Sequence, residues 1–176
     1  HGERDRNMMR SLSPLHDMLD GIARVKDARR LNEIVNHPSV LPWVKGSIEG
    51  PLDLSVPVAD QRNVTLVGEH GAVLFHRHQP GFYEAHTQVL PGGRGVWTVL
   101  FVQSCLHWLF TRTDAFEIAT KCPRGNLAAK ALARAIHGTF EFTNQRGWVK
   151  DGAYIPADIY SLKLQDWVRQ APGLVE

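Results

Sequence analysis

The order of residues 81–122 constrains the fold more than any other stretch of the chain. "GFYEAHTQVL" (81–90) reads as a strand, residues 95–112 as a long helix, and "AFEIATKC" (115–122) as a second strand. A strand, a crossover helix and another strand in one sheet require a parallel pair, and such crossovers are right-handed. The runs before it demand the opposite. "NVTLVG" (63–68) and "AVLFHRH" (72–78) are separated by Glu69-His70-Gly71, a hairpin signal, and the strand at 81–90 follows just after Gln79-Pro80. Three short strands in succession make an antiparallel meander. The sheet is therefore mixed.

The flanking segments add helices and further strands. "GIARV" (21–25) supplies a first strand. Asp27 can cap the helix "ARRLNEIVN", in which Leu31, Ile34 and Val35 recur at helical spacing. Pro38 and Pro42 bracket a short helix or turn with Trp43 and Val44, and residues 46–61 read as a long loop. "NLAAKALARAIHG" (126–138) is a helix capped by Asn126 and ended by Gly138, with Ala128, Ala131, Leu132, Ala135 and Ile136 on one face. "TFEFT" (139–143) and "DIYSLKLQDW" (158–167) close the sheet as strands, with a loop at 144–157 between them. The helix at 95–112 is apolar nearly all round, save Gln103, His107 and Thr111, so other elements cover most of its sides. Trp97, Phe101, Cys105 and Trp108 on it read as core. The expected fold class is α/β (α+β): a mixed, mostly antiparallel sheet of about seven strands with helices on its faces. Residues 1–20 read as an N-terminal extension and 21–176 as a single domain.

Composition excludes several functions. A chain of 176 residues with 43% hydrophobic and 22% charged content is ordinary globular protein. Its 20 basic and 18 acidic residues leave a net charge of +2, which calls for no nucleic-acid partner. No apolar run approaches the ~18 residues that cross a bilayer, and "HGERDRNMMR" carries no signal-peptide core, so no membrane partner is expected. Cys105 and Cys122 read as two reduced thiols of a cytoplasmic protein. His76 and His78 share a strand face, but no Cys or acidic partner stands at persuasive spacing, so no metal is expected. Oligomeric state stays open, a homodimer included.

Four blocks in this order carry a resemblance: "YEAHTQVLPGGRG", the helix at 95–112, "DAFEIATKC", and "NLAAKALARAIHGTFEF". With "DARRLNEIVNHP" as a first helix, they resemble the GNAT superfamily of acyl-CoA N-acyltransferases, and more loosely its phage and prophage branch. The resemblance implies that the fourth and fifth strands splay apart to admit the pantetheine arm of acetyl-CoA. Its amides would pair with Val89 and Leu90. Its pyrophosphate would rest on backbone N–H groups opening the long helix, where unpaired amides and the helix dipole favour an anion. The matching motif, Arg/Gln-x-x-Gly-x-Gly/Ala, falls on Arg94, Gly95, Val96, Trp97, Thr98 and Val99. Arg94 and Gly95 fit it. Trp97 and Val99 stand where glycine or alanine is expected. Either their side chains turn under the helix or they block the cradle. Asn126 matches the asparagine that opens the next helix, a position that an ordinary N-cap also explains. The tyrosine that many members carry seven residues later is Ala133 here. Tyr160 or Tyr83 would have to supply its proton.

Amine acylation needs a base for the amine proton and a donor for the departing thiolate. Glu84, His86 and Gln88 alternate on one strand and so share a face. Glu84 is the first candidate base and His86 the second; alternatively the two pair with each other or line a solvated face. Lys121, Arg124 and Lys130 are either solvated charges or partners for nucleotide phosphates. Glu49, Asp53, Asp60 and Asp151 are loop carboxylates that could attract a cationic acceptor. The resemblance thus implies an acetyl-CoA-dependent N-acetyltransferase acting on a primary amine, either a small molecule or a protein. The alternative is a catalytically degenerate GNAT-fold structural or interaction protein, phage-derived.

Overall fold

The computed structural model describes residues 21–170; the expected extension at 1–20 lies outside the described residues. In chain order the elements are β1 (Ala23–Val25), α1 (Arg29–Val35), a 3-10 turn (Leu41–Trp43), α2 (Ser55–Ala59), β2 (Val64–Val67), β3 (Gly71–Gln79) and β4 (Phe82–Val89). After them come a 3-10 turn (Pro91–Gly93), α3 (Val96–Arg112), β5 (Glu117–Pro123), α4 (Leu127–Ala135), β6 (Thr139–Lys150), β7 (Ala153–Lys163) and α5 (Leu164–Gln170). The strands form one seven-stranded sheet in the order β1-β2-β3-β4-β5-β7-β6. β4 and β5 run parallel and every other neighbouring pair is antiparallel. This is the mixed sheet that the crossover at 81–122 requires.

Alternation along β3 divides the core. Val73 and Phe75 point to one face, where they meet Phe101, Cys105 and Leu109 of α3. Ala72 and Leu74 point to the other, where they meet Leu31, Ile34 and Val35 of α1. Each helix is thus held by its apolar face rather than by propensity, which matters most for the short α1. Asp27 assists, since its Oδ1 accepts from Arg29 N–H at 3.1 Å.

Four expectations are corrected. The segment 46–61 is not all loop, because Ser55–Ala59 is helical and buries Val58. α4 ends at Ala135, short of Gly138, and turns a different face inward: Ala129, Leu132, Ala133 and Ile136 line the interior while Ala128, Ala131 and Ala135 are exposed. Alanine on every side gives a helix no direction, so Leu132 and Ile136 set the phase. The strand expected at 158–167 stops at Lys163, and residues 164–170 form α5, whose Trp167 stacks on Phe110. The expected loop at 144–157 is mostly a hairpin, with Lys150 paired to Ala153. Its turn is Asp151-Gly152 with φ of 50° and 77°, the two positive values that a two-residue turn of this hand requires.

Candidate active site

The parallel pair at the centre of the sheet is short. β4 and β5 are in register over Phe82↔Glu117, Tyr83↔Ile118 and Glu84↔Ala119. Thr120 Oγ1 then reaches Ala85 O at 3.3 Å. From there β4 continues to Val89 alongside β3, and β5 continues to Pro123 alongside β7. The strands splay, and a cavity of about 310 Å³ opens between them. It passes through the sheet. Val102 and Leu106 of α3 with Leu132 and Ile136 of α4 line it on one side, and Trp43, Val44 and Trp148 line it on the other. His86 and Gln88 stand opposite Leu74 and Ala72, whose cluster includes α1 and Val44, so they face the second side.

Glu84 and His86 both line this cavity, in different states. The Glu84 side chain is 11% exposed and both its oxygens are engaged. Oε1 pairs with His78 Nε2 at 2.9 Å, while Oε2 has His86 Nε2 at 3.3 Å and Lys121 Nζ at 3.9 Å. His78 reaches it through a bulge. The register with β4 shifts between Arg77 and Gln79, leaving His78 as the extra residue. Burial pushes the Glu84 carboxyl up, but His86, the His78 hydrogen bond and Lys121 together outweigh it and hold the group below its ordinary value. His86 keeps 43% of its side chain open to the cavity. Burial pulls its pKa below the ordinary 6.5 despite the opposing pull of Glu84, with Lys121, His76 and His78 adding to the drop. At neutral pH the pair is therefore a carboxylate beside a neutral imidazole. The Nε2 of His86 lies 3.3 Å from Glu84 Oε2 as a charge contact, while the hydrogen bond that Glu84 makes to a histidine is the one to His78.

At the start of α3, Gly95 holds φ 98°, ψ −134°, a conformation open essentially to glycine alone. No side chain caps the helix, and Val99 N approaches Gly95 O at only 3.5 Å, so the amides of the first turn are free. Trp97 turns under the helix. Its indole stacks on Phe101 with centroids 4.7 Å apart and meets His70 edge-on at 5.1 Å. Glycines make room for it: a Cβ on Gly68, Gly71 or Gly93 would come within 3.4 Å of the indole. Trp97 does not line the cavity. Val96 and Arg94 are exposed, Val99 is half-buried, and Thr98 Oγ1 donates to Gly93 O at 2.6 Å. Val89 is paired with Gly71, and Leu90 N–H is spent on His70 O at 2.7 Å. Of the unpaired edge of β4, it is Ala85 to Gln88 that line the cavity.

Asn126 lines the cavity and also caps α4, its Oδ1 accepting from Ala129 N–H at 3.1 Å. Tyr160 lines the cavity from β7 and packs in one cluster with Ala133 and Cys122. The side chain at 133 is small where Tyr160 takes up the space. Tyr83 is elsewhere: its hydroxyl donates to Asp114 Oδ1 at 2.9 Å, on the far side of the β3–β4 hairpin. Lys130 pairs with Asp158 at 3.2 Å. Among the cavity residues that sequence reasoning did not assign to the site are Trp43 and Trp148, while Lys121, considered there for nucleotide phosphates, stands beside Glu84 instead and His78 lies behind it. The Asp151-Gly152 turn is the one sequence signal that could have brought Trp148 into view.

A seven-stranded mixed sheet splayed at its single parallel pair, with a long crossover helix between the two parallel strands, is the arrangement of the GNAT fold. No family model matches the sequence and no curated protein matches it. Solved structures do match. A spermidine N-acetyltransferase variant from Vibrio cholerae is 14% identical with a TM-score of 0.69, covering 85% of this chain and 98% of its own. A ribosomal-protein-alanine N-acetyltransferase from Brucella melitensis is 18% identical with a TM-score of 0.67, covering 81% and 99%. A putative acetyltransferase from Salmonella typhimurium, solved with its cofactor acetyl-CoA, is 20% identical with a TM-score of 0.66, covering 81% and 92%. At these identities the likeness is one of fold.

Proposed function

We propose that the protein is an N-acetyltransferase that moves the acetyl group of acetyl-CoA to a primary amine, of a small molecule or a protein. The observation that carries this reading is the cavity through the splayed sheet, with a free imidazole in its wall. Acetyl-CoA would lie along the unpaired edge of β4, with its pyrophosphate on the open amides at 95–98 and Arg94 beside it. Three features fit that ligand: the uncapped first turn, the glycine geometry at 95, and the indole of Trp97 turned away from the gap. Asn126 stands where the pantetheine arm would pass.

The thioester supplies an activated acyl group. The chain supplies proton handling. The His86 imidazole takes the amine proton on its unprotonated ring nitrogen, because the ring is neutral near pH 7 and lines the cavity. Glu84, with both oxygens engaged, orients the ring and stabilises its charged form, a reversal of the first-choice base. Tyr160 Oη gives a proton to the departing sulfur, in place of the tyrosine that Ala133 replaces. The two buried free thiols suit a cytoplasmic, reducing setting. Among the described residues no helix is long and apolar enough to cross a membrane.

Calorimetric titration with acetyl-CoA and release of free thiol in the presence of an amine test the reading. Binding below millimolar with amine-dependent thiol release is the expected outcome. Absence of binding at millimolar acetyl-CoA would overturn it.

A further inference from the structure

The second side of the cavity has a chemistry of its own, and on the acetyltransferase reading it is the side that meets the acceptor. Trp43, Val44 and Trp148 form its wall on the face that bears His86. They come from distant parts of the chain, the 3-10 turn after α1 and the β6–β7 hairpin, and three contacts lock these together. Lys150 Nζ lies 5.4 Å from the ring centroid of Trp43 and 5.8 Å from that of Trp148. Gly46 sits so close to the hairpin that an added Cβ would stand 2.8 Å from Val149 O. Gly152 N–H donates to Ser47 Oγ at 3.1 Å. The aromatic wall is preformed.

No free carboxylate lines it among the described residues. Among the described residues that line the cavity, Glu84 is the acidic one, and both its oxygens are taken. Of the four loop carboxylates, Asp53 accepts from Asn32 and Ser55 and Asp60 pairs with Arg62 at 2.8 Å, while Glu49 and Asp151 are exposed at the surface and do not line the cavity. Glu141 accepts from Ser161 Oγ and does not line the cavity. Two cations are close instead, Lys121 in the wall and Lys150 over both indoles. A second ammonium on the acceptor would leave water without a partner and would face both lysines. An apolar group would gain by burial against the indoles.

We infer that the acceptor is a primary amine borne on an apolar alkyl or aralkyl group with no second positive charge, and that this site rejects polyamines; the inference rests on the acetyltransferase reading. The test compares 2-phenylethylamine with spermidine in two ways: kcat/KM at saturating acetyl-CoA, and calorimetric binding of each amine alone. Phenylethylamine is expected to exceed spermidine by roughly tenfold or more in both, the scale set by apolar pocket contacts. Trp148→Ala should erase that advantage with KM for acetyl-CoA unchanged, and Trp148→Phe should restore most of it. Spermidine equal or better in either measurement, binding of neither amine, or an undiminished preference in folded Trp148→Ala overturns the inference. Failure of the acetyltransferase reading would appear separately, as loss of acetyl-CoA binding and thiol release, while the amine affinities still decide the acceptor class.

Discussion

Glu84 and His86 differ by where their lone pairs go, and pH separates their roles. On the proposed mechanism a neutral His86 is the working form of the base, and its pKa lies below 6.5. The rate constant kcat/KM should therefore be flat near neutrality and fall as pH drops below that value and the ring takes a proton. His86→Ala should lower kcat by about 10²–10⁴-fold. Glu84→Gln removes the charge that holds the His86 pKa up, so the acid limb should move to lower pH while the plateau also falls. An unshifted limb would remove Glu84 from the pair. Stability follows the same direction. Both groups bind fewer protons folded than unfolded, so each contributes stability above its ordinary pKa and loses it on acidification. His86 does so from 6.5 downward and Glu84 from 4.5 downward. A thermal melt of His86→Ala across pH 7 to 5 should lose the first of these declines. These two residues were visible in the sequence because polar side chains at i and i+2 are unusual on a central strand. His78 shares a strand face with His76, the partner of Glu84, but the bulge between Arg77 and Gln79 that sets its distance to Glu84 leaves no mark in the sequence.

The elements that sequence made legible are those with one strong period. β2, β3 and β4 alternate, α3 is long and apolar, and β5 follows a crossover, so their order forces the mixed sheet. β6 showed that pattern only at its start, "TFEFT" (139–143), and was missed beyond it, because Asn144 to Arg146 are exposed polar residues of an edge strand. Burial, which imposes alternation, does not act on those three. The direction of Trp97 was equally hidden, for it depends on Gly68, Gly71 and Gly93, whose lack of a Cβ makes the space that it fills. That packing yields a test of α3. Trp97→Ala should cost about 2–3 kcal/mol, below the range for a fully buried aromatic, and should leave acetyl-CoA affinity no higher. A gain in affinity, read by calorimetry beside the melt, would mean that the indole obstructs the cradle after all. Gly95→Ala should act on stability and on the ligand together. It should remove about 1–3 kcal/mol through its strained backbone and weaken anion binding with it.

At the scale of the whole molecule, the three-residue pairing of β4 with β5 is also a seam. On one leaf lie β1 to β4 and on the other β5 to β7, and beyond Glu84↔Ala119 no main-chain ladder joins them among the described residues. α3 bridges the leaves by packing, not by hydrogen bonds between strands. A ligand with amides of its own, laid along the free edge of β4, would complete the sheet as an extra strand does. Substrate binding should therefore register as cohesion. At a concentration 100 times its Kd, acetyl-CoA should raise unfolding free energy by about 2.7 kcal/mol, and hydrogen exchange should slow on both leaves rather than at the contact residues alone. Without the ligand the seam is the place where the two leaves can part.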